Sequence, residues 1–273
     1  MYQGDYTIAL IHDVFYDDPG GDRLRMRLRE AKRQGADLAV LPELPLNPWS
    51  PAHKTLLAED AEPPEGSRHQ RQAAAAREAG VALLGGAIVR DPGTGRRHNT
   101  ALLFDASGAL AGTYQKLHLP EEEGFWETSH YEPGLEPPRV IEGIGPAVGV
   151  QICSDLNRLV GAQLLAAQGV EVVLAPRATP GSTYRRWRLV YQAAAVTSAA
   201  YVVSINRPRP EAGVPLGGPS LVVSPDGAVL LETADPVAVI TLDVSMVRRM
   251  RNEYPGYLSF PASVYAEGWR RMA

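Results

Sequence analysis

Residues 148–155 have the sequence VGVQICSD, a short β-branched apolar run that passes into polar residues. The run predicts a buried strand, with its last residues at the point where the strand joins a loop. Cys153 lies at this junction and is the only cysteine among the 273 residues of the chain. Open α/β sheets bind ligands at this end of their strands. We therefore interpret Cys153 as a reactive thiol, the alternative being a small buried apolar residue.

On both sides of this run, predicted strands alternate with predicted helices. Helices are predicted at residues 22–34, 67–79, 158–168, 184–198 and 244–252. Strands are predicted at residues 7–12, 36–41, 81–90, 99–105, 140–144, 147–152, 170–175, 201–205, 220–224, 228–232 and 237–242, with one more ending near residue 116. Since several consecutive strands are joined by tight turns without a helix, two sheets are favoured over a TIM barrel.

The alternation of elements continues without a break in composition, and no internal repeat interrupts it. We therefore predict a single domain over residues 1–273, with a core of about 7–250 and a C-terminal tail of 251–273. The fold class is α/β.

The composition is that of an ordinary globular enzyme, with 45% hydrophobic and 21% charged residues. The formal net charge of −4 argues against a general nucleic-acid-binding protein. The longest apolar stretches are far shorter than a membrane span, and the first residues lack the pattern of a signal peptide. We therefore expect a cytoplasmic protein that binds neither nucleic acid nor membrane, in a compartment where a free thiol persists.

The sequence carries no recognisable cofactor or metal signature. Its six histidines show no metal-ligand spacing. The paired glycines at 85–86 and 217–218 lack the context of a phosphate loop or a dinucleotide motif. We expect no cofactor and no metal, so that the chemistry would depend on side chains.

Three charged residues at or just after predicted strands could activate the thiol of Cys153. Glu43 ends the run AVLPE, Lys116 ends GTYQK and Glu127 ends GFWE. A thiol with an ordinary pKa of about 8.5 is mostly protonated at neutral pH and needs a base or a positive neighbour. A carboxylate can take its proton, and an ammonium can stabilise a developing oxyanion. Taken singly, each residue is more typical of a surface or structural position, so the prediction of acyl transfer depends on their combination.

The strings around these residues resemble those of the nitrilase superfamily, the carbon–nitrogen hydrolases. GADLAVLPE at residues 35–43, YQKLHLP at 114–120 and GVQICSD at 149–155 are similar to its three catalytic segments, in the same order. Weaker similarity continues downstream at residues 169–176, 218–220 and 225–227. The resemblance implies a four-layer αββα sandwich, assembled into homodimers or larger homo-oligomers across a helical face.

The resemblance also implies a role for each charged residue. Cys153 would be the nucleophile, Glu43 the general base and acid, and Lys116 the group that stabilises the oxyanion. Glu127 matches the second glutamate of the carbamoyl-amine branch, although residues 121–123 are glutamates as well.

Residues beside the expected triad provide further candidates. The backbone N–H of Ser154 or Asp155 would donate a second hydrogen bond to the oxyanion. His118 is favoured as a structural hydrogen-bonding residue beside the lysine, because the Glu–Lys–Cys set leaves no task for a histidine base.

The substrate is less well indicated, because residues 154–158 (SDLNR) lack the aromatic residue and the Phe-Pro-Glu stretch of many relatives. Arg158 and Arg177 each follow a predicted strand and are candidates for bidentate capture of a carboxylate at the pocket mouth. The alternative for each is a salt bridge to a loop acid. Trp49 and Trp126 are candidate pocket walls, with ordinary loop packing as the alternative.

The sequence therefore predicts an amidase or N-carbamoyl amide hydrolase that acts on a small molecule, carboxylate-bearing compounds included. It would cleave a non-peptide C–N bond through a cysteine thioester and release ammonia. A nitrilase acting on a small nitrile is the nearest alternative. A catalytically inert binding protein on the same fold is the alternative of another class.

Overall fold

A computed structural model describes residues 2–253 and 261–272. Within these ranges lie helices α1 to α6 at Asp22–Arg33, Ser67–Ala79, Val160–Ala167, Tyr184–Ser198, Ser245–Glu253 and Ala262–Arg270. Strands β1 to β8 lie at Asp5–Ile11, Leu38–Val40, Ala61–Glu62, Ala82–Arg90, Arg97–Phe104, Leu110–Gln115, Glu121–Glu122 and Phe125–Trp126. Strands β9 to β14 lie at Val148–Val150, Val172–Arg177, Tyr201–Asn206, Ser220–Val223, Val229–Thr233 and Val237–Asp243.

The strands of the described residues form two main sheets. The larger has the order β14-β1-β2-β4-β5-β6, with β3 paired to β4, and the smaller has the order β13-β12-β11-β10-β9. Strands β1, β2 and β4 run parallel, as do β9, β10 and β11. Strand β6 is antiparallel to β5, which is antiparallel to β4, so that β2, β4 and β6 all end at the same edge. This edge carries the loops that follow β2 and β6.

The two sheets pack face to face around one apolar layer. Alternate residues of each strand point inward, as the two-residue period of a strand requires; Val40 and Leu84 come from the larger sheet, and Val150, Leu174 and Val203 from the smaller. Burying a side chain of this size stabilises the fold by roughly 1.5–3 kcal/mol. The layer therefore fixes the two sheets, and the loops at their edges, relative to each other.

Helices cover the outer face of each sheet. Helix α1 places Leu24, Leu28 and Ala31 on one face, at the spacing of an amphipathic helix, against the outer side of the larger sheet. Helices α3 and α4 cover the smaller sheet, where Leu165 and Tyr191 are fully buried. The layers follow the order α, β, β, α, which confirms the predicted four-layer sandwich over the TIM barrel.

The structure differs from the sequence prediction in several places, and the short strands β3, β7 and β8 were not predicted. The strand predicted at residues 140–144 is reduced to one bridge between Ile141 and Val148, because Gly143 and Gly145 adopt φ angles of 95° and 123° that end extended pairing. The tail predicted as 251–273 contains helix α6, and its residues 254–260 lie outside the described ranges. Among the described residues, no helix has the length and apolar character needed to cross a bilayer. The single-domain assignment over residues 1–273 remains a prediction.

Candidate active site

Glu43 lies in a sharp turn that follows strand β2. Its side chain is buried, and the next residue, Leu44, has a φ of 49°, in the left-handed region that non-glycine residues rarely adopt. The fully buried Arg207 donates from Nη1 to the carbonyls of Glu43 and Leu44, both at 2.9 Å, and from Nη2 to the carbonyl of Asn47 at 3.0 Å. Glu211 balances the charge of this guanidinium through bonds of 2.9 and 2.7 Å. A buried ion pair therefore holds the turn that carries Glu43.

Lys116 follows strand β6 directly and is fully buried. Its Nζ donates to Oε1 of Glu43 and to Oε1 of Glu127, each at 2.7 Å. Glu127 opens a short 3-10 turn, and its N–H donates to the carbonyl of Pro120 at 3.1 Å. The glutamates at 121–123 are exposed, so it is Glu127 that joins Lys116 and Glu43 in the interior.

Cys153 opens a 3-10 turn, and two residues separate it from the end of strand β9. Its φ of 48° is again left-handed, which is a strained conformation for a residue with a Cβ atom. Its Sγ lies 3.9 Å from the carbonyl oxygen of Ala178. Cys153 retains 5% exposure, whereas Lys116 and Glu127 have none. Cys153 is therefore the most exposed of the four residues, although all four are buried.

Asp155 ties the lysine segment to the cysteine segment. Its fully buried carboxylate accepts hydrogen bonds from the N–H groups of Leu117, His118 and Ile152 and from the hydroxyl of Tyr114, at 2.9–3.2 Å. Nδ1 of His118 lies 2.8 Å from the same carboxylate, in agreement with a structural histidine. Lys116 and Cys153 are thereby held in one rigid unit.

This arrangement corrects one predicted oxyanion donor. The N–H of Asp155 already donates to the carbonyl of Ile152 at 3.0 Å, so it is engaged within the turn. The N–H of Ser154 remains the predicted backbone donor. The hydroxyl of Ser154 donates to the carbonyl of His118 and links the same two segments again.

The prediction that Arg177 points into the pocket mouth is wrong. On β10 the side chains of Val173 and Ala175 face the outer helices, and the alternation places Arg177 on that same outer face. It is fully buried, donates from Nε to the hydroxyl of Ser204 at 3.1 Å, and lies over the ring of Tyr191 at 5.6 Å. The strand period in the sequence could have revealed this orientation.

The other predicted substrate residues lie near the site without completing it. Arg158 is exposed and donates from Nη1 to the carbonyl of Ser154 at 3.3 Å. Trp49 is buried, and its Nε1–H donates to the carbonyl of Gly124 at 2.9 Å, which fits loop packing. Trp126 is half-buried, with the ammonium of Lys54 4.0 Å from its ring centre. Their roles toward a substrate remain predictions.

Sequence reasoning missed Asn99, Tyr131 and Arg207. Asn99, on β5, donates from Nδ2 to Oε1 of Glu43 at 2.8 Å. Its strand reads RHNTALLF and buries four polar residues at its start. A polar run inside a buried strand is the signal that could have marked Asn99. Tyr131 is buried beside Glu127. Arg207 directly follows strand β11, which ends in the sequence SIN.

Burial dominates the electrostatics of the site. It raises the pKa of the Cys153 thiol, the negative charge of Glu43 raises it further, and Lys116 opposes both. The resting thiol is therefore protonated and needs a base. Burial also raises the pKa of Glu127, to about 8, with Lys116 again opposing. Burial alone would lower the pKa of Lys116, but the charges of Glu127 and Glu43 raise it above its usual range.

The free energy of unfolding is expected to fall as the pH rises from about 4.5 to about 8. In this range the folded protein keeps the proton of Glu127, whereas the unfolded chain has lost it, so that stability decreases by up to about 1.4 kcal/mol per pH unit. Urea unfolding at several pH values measures this slope. The variant Glu127→Gln cannot ionise at this position and should show a flatter dependence, while parallel curves for the two proteins would contradict the raised pKa.

The chemistry available to this site is proton transfer and nucleophilic attack. It brings together one thiol, one ammonium and two carboxyl groups. Among the described residues, no group of three His, Cys, Asp or Glu side chains is placed to hold a metal ion.

Comparison with known proteins identifies the family. Residues 15–252 match the family described as carbon-nitrogen hydrolase. The chain is 30% identical to the omega-amidase NIT2 of Xenopus tropicalis over 239 residues, which covers 84% of each chain.

Solved structures agree with this match. A variant of an amidase from Nesterenkonia sp. AN1 is 26% identical, with a TM-score of 0.79 and 96% of both chains covered; its structure shows covalent addition of the acetamide moiety of fluoroacetamide at the active-site cysteine. Another variant of that amidase was solved in complex with butyramide. A carbon-nitrogen hydrolase from Helicobacter pylori G27 shares the fold, with a TM-score of 0.85 at 18% identity and 97% and 98% of the chains covered. The resemblance found in the sequence is confirmed, and the chain belongs to the carbon–nitrogen hydrolase family of the nitrilase superfamily.

Proposed function

We propose that this carbon–nitrogen hydrolase cleaves small primary amides through a thioester on Cys153 and releases ammonia. The observation that carries the proposal is the ammonium of Lys116, held at 2.7 Å from one oxygen of each of the buried carboxyl groups of Glu43 and Glu127. This trio lies beside a buried thiol that needs a base. The names of the relatives, an omega-amidase and an amidase, support an amide as the substrate.

The first half of the reaction forms the acyl-enzyme. The free oxygen of Glu43 takes the thiol proton as Sγ of Cys153 forms a bond to the amide carbon. The carbonyl oxygen becomes an oxyanion, which accepts hydrogen bonds from Lys116 and from the N–H of Ser154; one such donor contributes roughly 10²–10³ in rate. As the oxyanion collapses, the C–N bond breaks, and Glu43 passes its proton to the nitrogen, which leaves as ammonia.

The second half regenerates the thiol. Water loses a proton to Glu43 and attacks the thioester carbon, and the same donors hold the second oxyanion. The C–S bond then breaks, the proton returns to sulfur, and the carboxylic acid leaves. One amide and one water thus give one acid and one ammonia. Glu43 exchanges the proton in both directions, while Glu127 holds Lys116 in place.

The substrate alternatives stay open in part. An N-carbamoyl compound offers the same carbonyl and the same NH₂ group, and a small nitrile would reach the same thioester after one hydration. Arg177 faces the outer helices and is therefore no longer a candidate to bind a substrate carboxylate. Arg158 is the remaining predicted group for this role. A carboxylate-bearing substrate therefore depends on a cation at the rim of the site.

Trapping the acyl-enzyme tests the proposal. The protein is mixed with a panel of small primary amides, N-carbamoyl compounds and nitriles, quenched in acid and weighed intact by mass spectrometry. We expect an adduct on Cys153 with the mass of an amide minus ammonia, because this is the only cysteine of the chain. Each compound is tested separately, because an amide and a nitrile both release one ammonia on the way to the thioester. A nitrile is recognised by its first adduct, a thioimidate with the mass of the intact nitrile, which must take up water before ammonia leaves.

The same experiment can also contradict the proposed amide hydrolysis. If no member of the panel forms an adduct while iodoacetamide also fails to label Cys153, the inert binding protein is the better description. An adduct formed from nitriles alone would favour the nitrilase.

Assembly and location remain predictions. A homodimer or larger homo-oligomer across the outer helices would cover Val160, Leu164 and Leu189, which are 45%, 41% and 67% exposed. Isolated exposed apolar side chains are common, so they support an interface only as a group on one face. The cytoplasmic location also stands as predicted from the sequence.

A further inference from the structure

Tyr131 places a hydroxyl in the interior beside the site. The residue is 3% exposed, and its N–H donates to the carbonyl of Glu127 at 3.0 Å, so that it follows Glu127 by one turn. Among the described residues its Oη makes no hydrogen bond of ordinary length and angle, although it lies toward the carboxyl group of Glu127. Buried phenol groups nearly always have one. The missing hydrogen bond is therefore a feature that needs an explanation.

The ring of Tyr131 belongs to a buried apolar cluster that includes residues from the loops after β2 and β10. It packs in an apolar cluster with Leu44, the neighbour of Glu43, and with Ala178, whose carbonyl lies against Sγ of Cys153. The cluster fixes the ring, and the hydroxyl oxygen is the single polar atom of the Tyr131 side chain. The phenol is thus held in place rather than free to turn toward solvent.

Two more oxygens at the site also lack an ordinary hydrogen bond. Oε2 of Glu43 and Oε2 of Glu127 are buried and unpaired, while the Oε1 atom of each binds Lys116. Burial raises the pKa of Tyr131, and the charges of Glu127 and Glu43 raise it further, as expected for a hydroxyl that lies near both carboxylates. Three oxygens without an ordinary hydrogen bond therefore lie near one another in the interior.

One hydrogen bond joins Oη of Tyr131 and Oε2 of Glu127. One acceptor position then remains on Oη of Tyr131 and another on Oε2 of Glu43, two in all. An NH₂ group supplies two N–H donors, whereas an ester oxygen supplies none.

We propose that Tyr131 binds the leaving nitrogen of a primary amide and selects for it. Its hydroxyl pairs with Oε2 of Glu127 and accepts one N–H of the substrate, while the second N–H reaches Oε2 of Glu43. This inference rests on the proposed amide hydrolysis and names the group that recognises the leaving nitrogen. The nitrogen is thereby placed next to the carboxyl that delivers its proton.

The variant Tyr131→Phe tests the inference, because it removes only the hydroxyl. The substrates are a primary amide that forms the adduct, butyramide in the first instance, and the methyl ester of the same acid. We expect kcat/KM for the amide to fall by about tenfold or more, the size of one lost buried hydrogen bond. For the ester it should change by less than about twofold, since no N–H is recognised.

A matched control is available at Tyr191, which is buried and whose hydroxyl, like that of Tyr131, makes no hydrogen bond of ordinary length and angle; it lies on helix α4 at the outer face of the smaller sheet. Tyr191→Phe should leave both rates unchanged. Calorimetry in a Cys153→Ala background adds a readout without turnover: Tyr131→Phe should weaken butyramide binding by about tenfold and leave ester binding unchanged.

An equal loss for amide and ester would overturn the inference, because Tyr131 would then act through Glu127 or through packing. Unchanged amide turnover in Tyr131→Phe would overturn it as well. A wild-type protein that forms no acyl adduct contradicts the proposed function instead. The binding measurement keeps these failures apart, because it needs no acyl-enzyme.

Discussion

Replacing Cys153 with alanine is expected to lower the rate of amide hydrolysis by at least about 10⁴-fold, as removal of a nucleophile does in other hydrolases. The thiol is the only sulfhydryl of the chain, and the buried carboxylates beside it are committed to Lys116 through one oxygen each. Ammonia release from a primary amide, measured at saturating and at low substrate, checks the loss. The acyl adduct should disappear in the same variant.

The fold should survive this substitution, and its survival is the control. Alanine fits the space and the backbone of Cys153, so the free energy of unfolding should change by less than about 1.5 kcal/mol. Urea unfolding of both proteins measures it. A Cys153→Ala protein that keeps the wild-type rate, with ammonia still released, would remove the thioester from the scheme.

Replacing Arg207 with methionine is expected to reduce the free energy of unfolding by about 3–5 kcal/mol, because it leaves the carboxylate of Glu211 buried without its partner. The same change releases the carbonyls of Glu43 and Leu44, which Arg207 binds at 2.9 Å. The turn that aims Glu43 should loosen, and a misplacement of about 1 Å can lower the rate by roughly 10²-fold. Unfolding curves and kcat are measured on the same preparation.

A double variant separates the two effects. Arg207→Met with Glu211→Leu removes both charges, and replacing a buried pair by apolar residues often restores stability. We expect the double variant to regain part of the lost stability while its rate stays low, since neither change restores the bonds to the turn. Recovery of the rate together with stability would show that Arg207 acts on the fold alone.

The general architecture could be predicted from the sequence because its signals are local. Helices α2 and α4 begin and end at the residues predicted from an alanine-rich run and from helical spacing. The sandwich followed from strands joined by tight turns and from the family resemblance. Glu43 and Lys116 were recognisable because Lys116 directly follows a strand and Glu43 comes three residues after the end of one.

The remaining features depend on contacts between distant parts of the chain. Arg207 meets the Glu43 turn across 164 positions, and Asn99 meets Glu43 across 56. No local pattern encodes such a partner. The orientation of Arg177 is the exception, because the alternation within β10 would have placed it on the outer face. The hydrogen bond of the Asp155 N–H within its own turn could not be predicted from the sequence, because it depends on the three-dimensional path of the backbone.

The left-handed backbone at Cys153 limits which nucleophiles this scaffold can adopt. At a φ of 48°, a second heavy atom on Cβ would crowd the backbone, so threonine and valine are disfavoured on steric grounds. Serine, alanine and glycine fit the same geometry. An evolutionary or engineered path from the thiol to a hydroxyl nucleophile therefore favours serine over threonine, which would add strain to the backbone at this position.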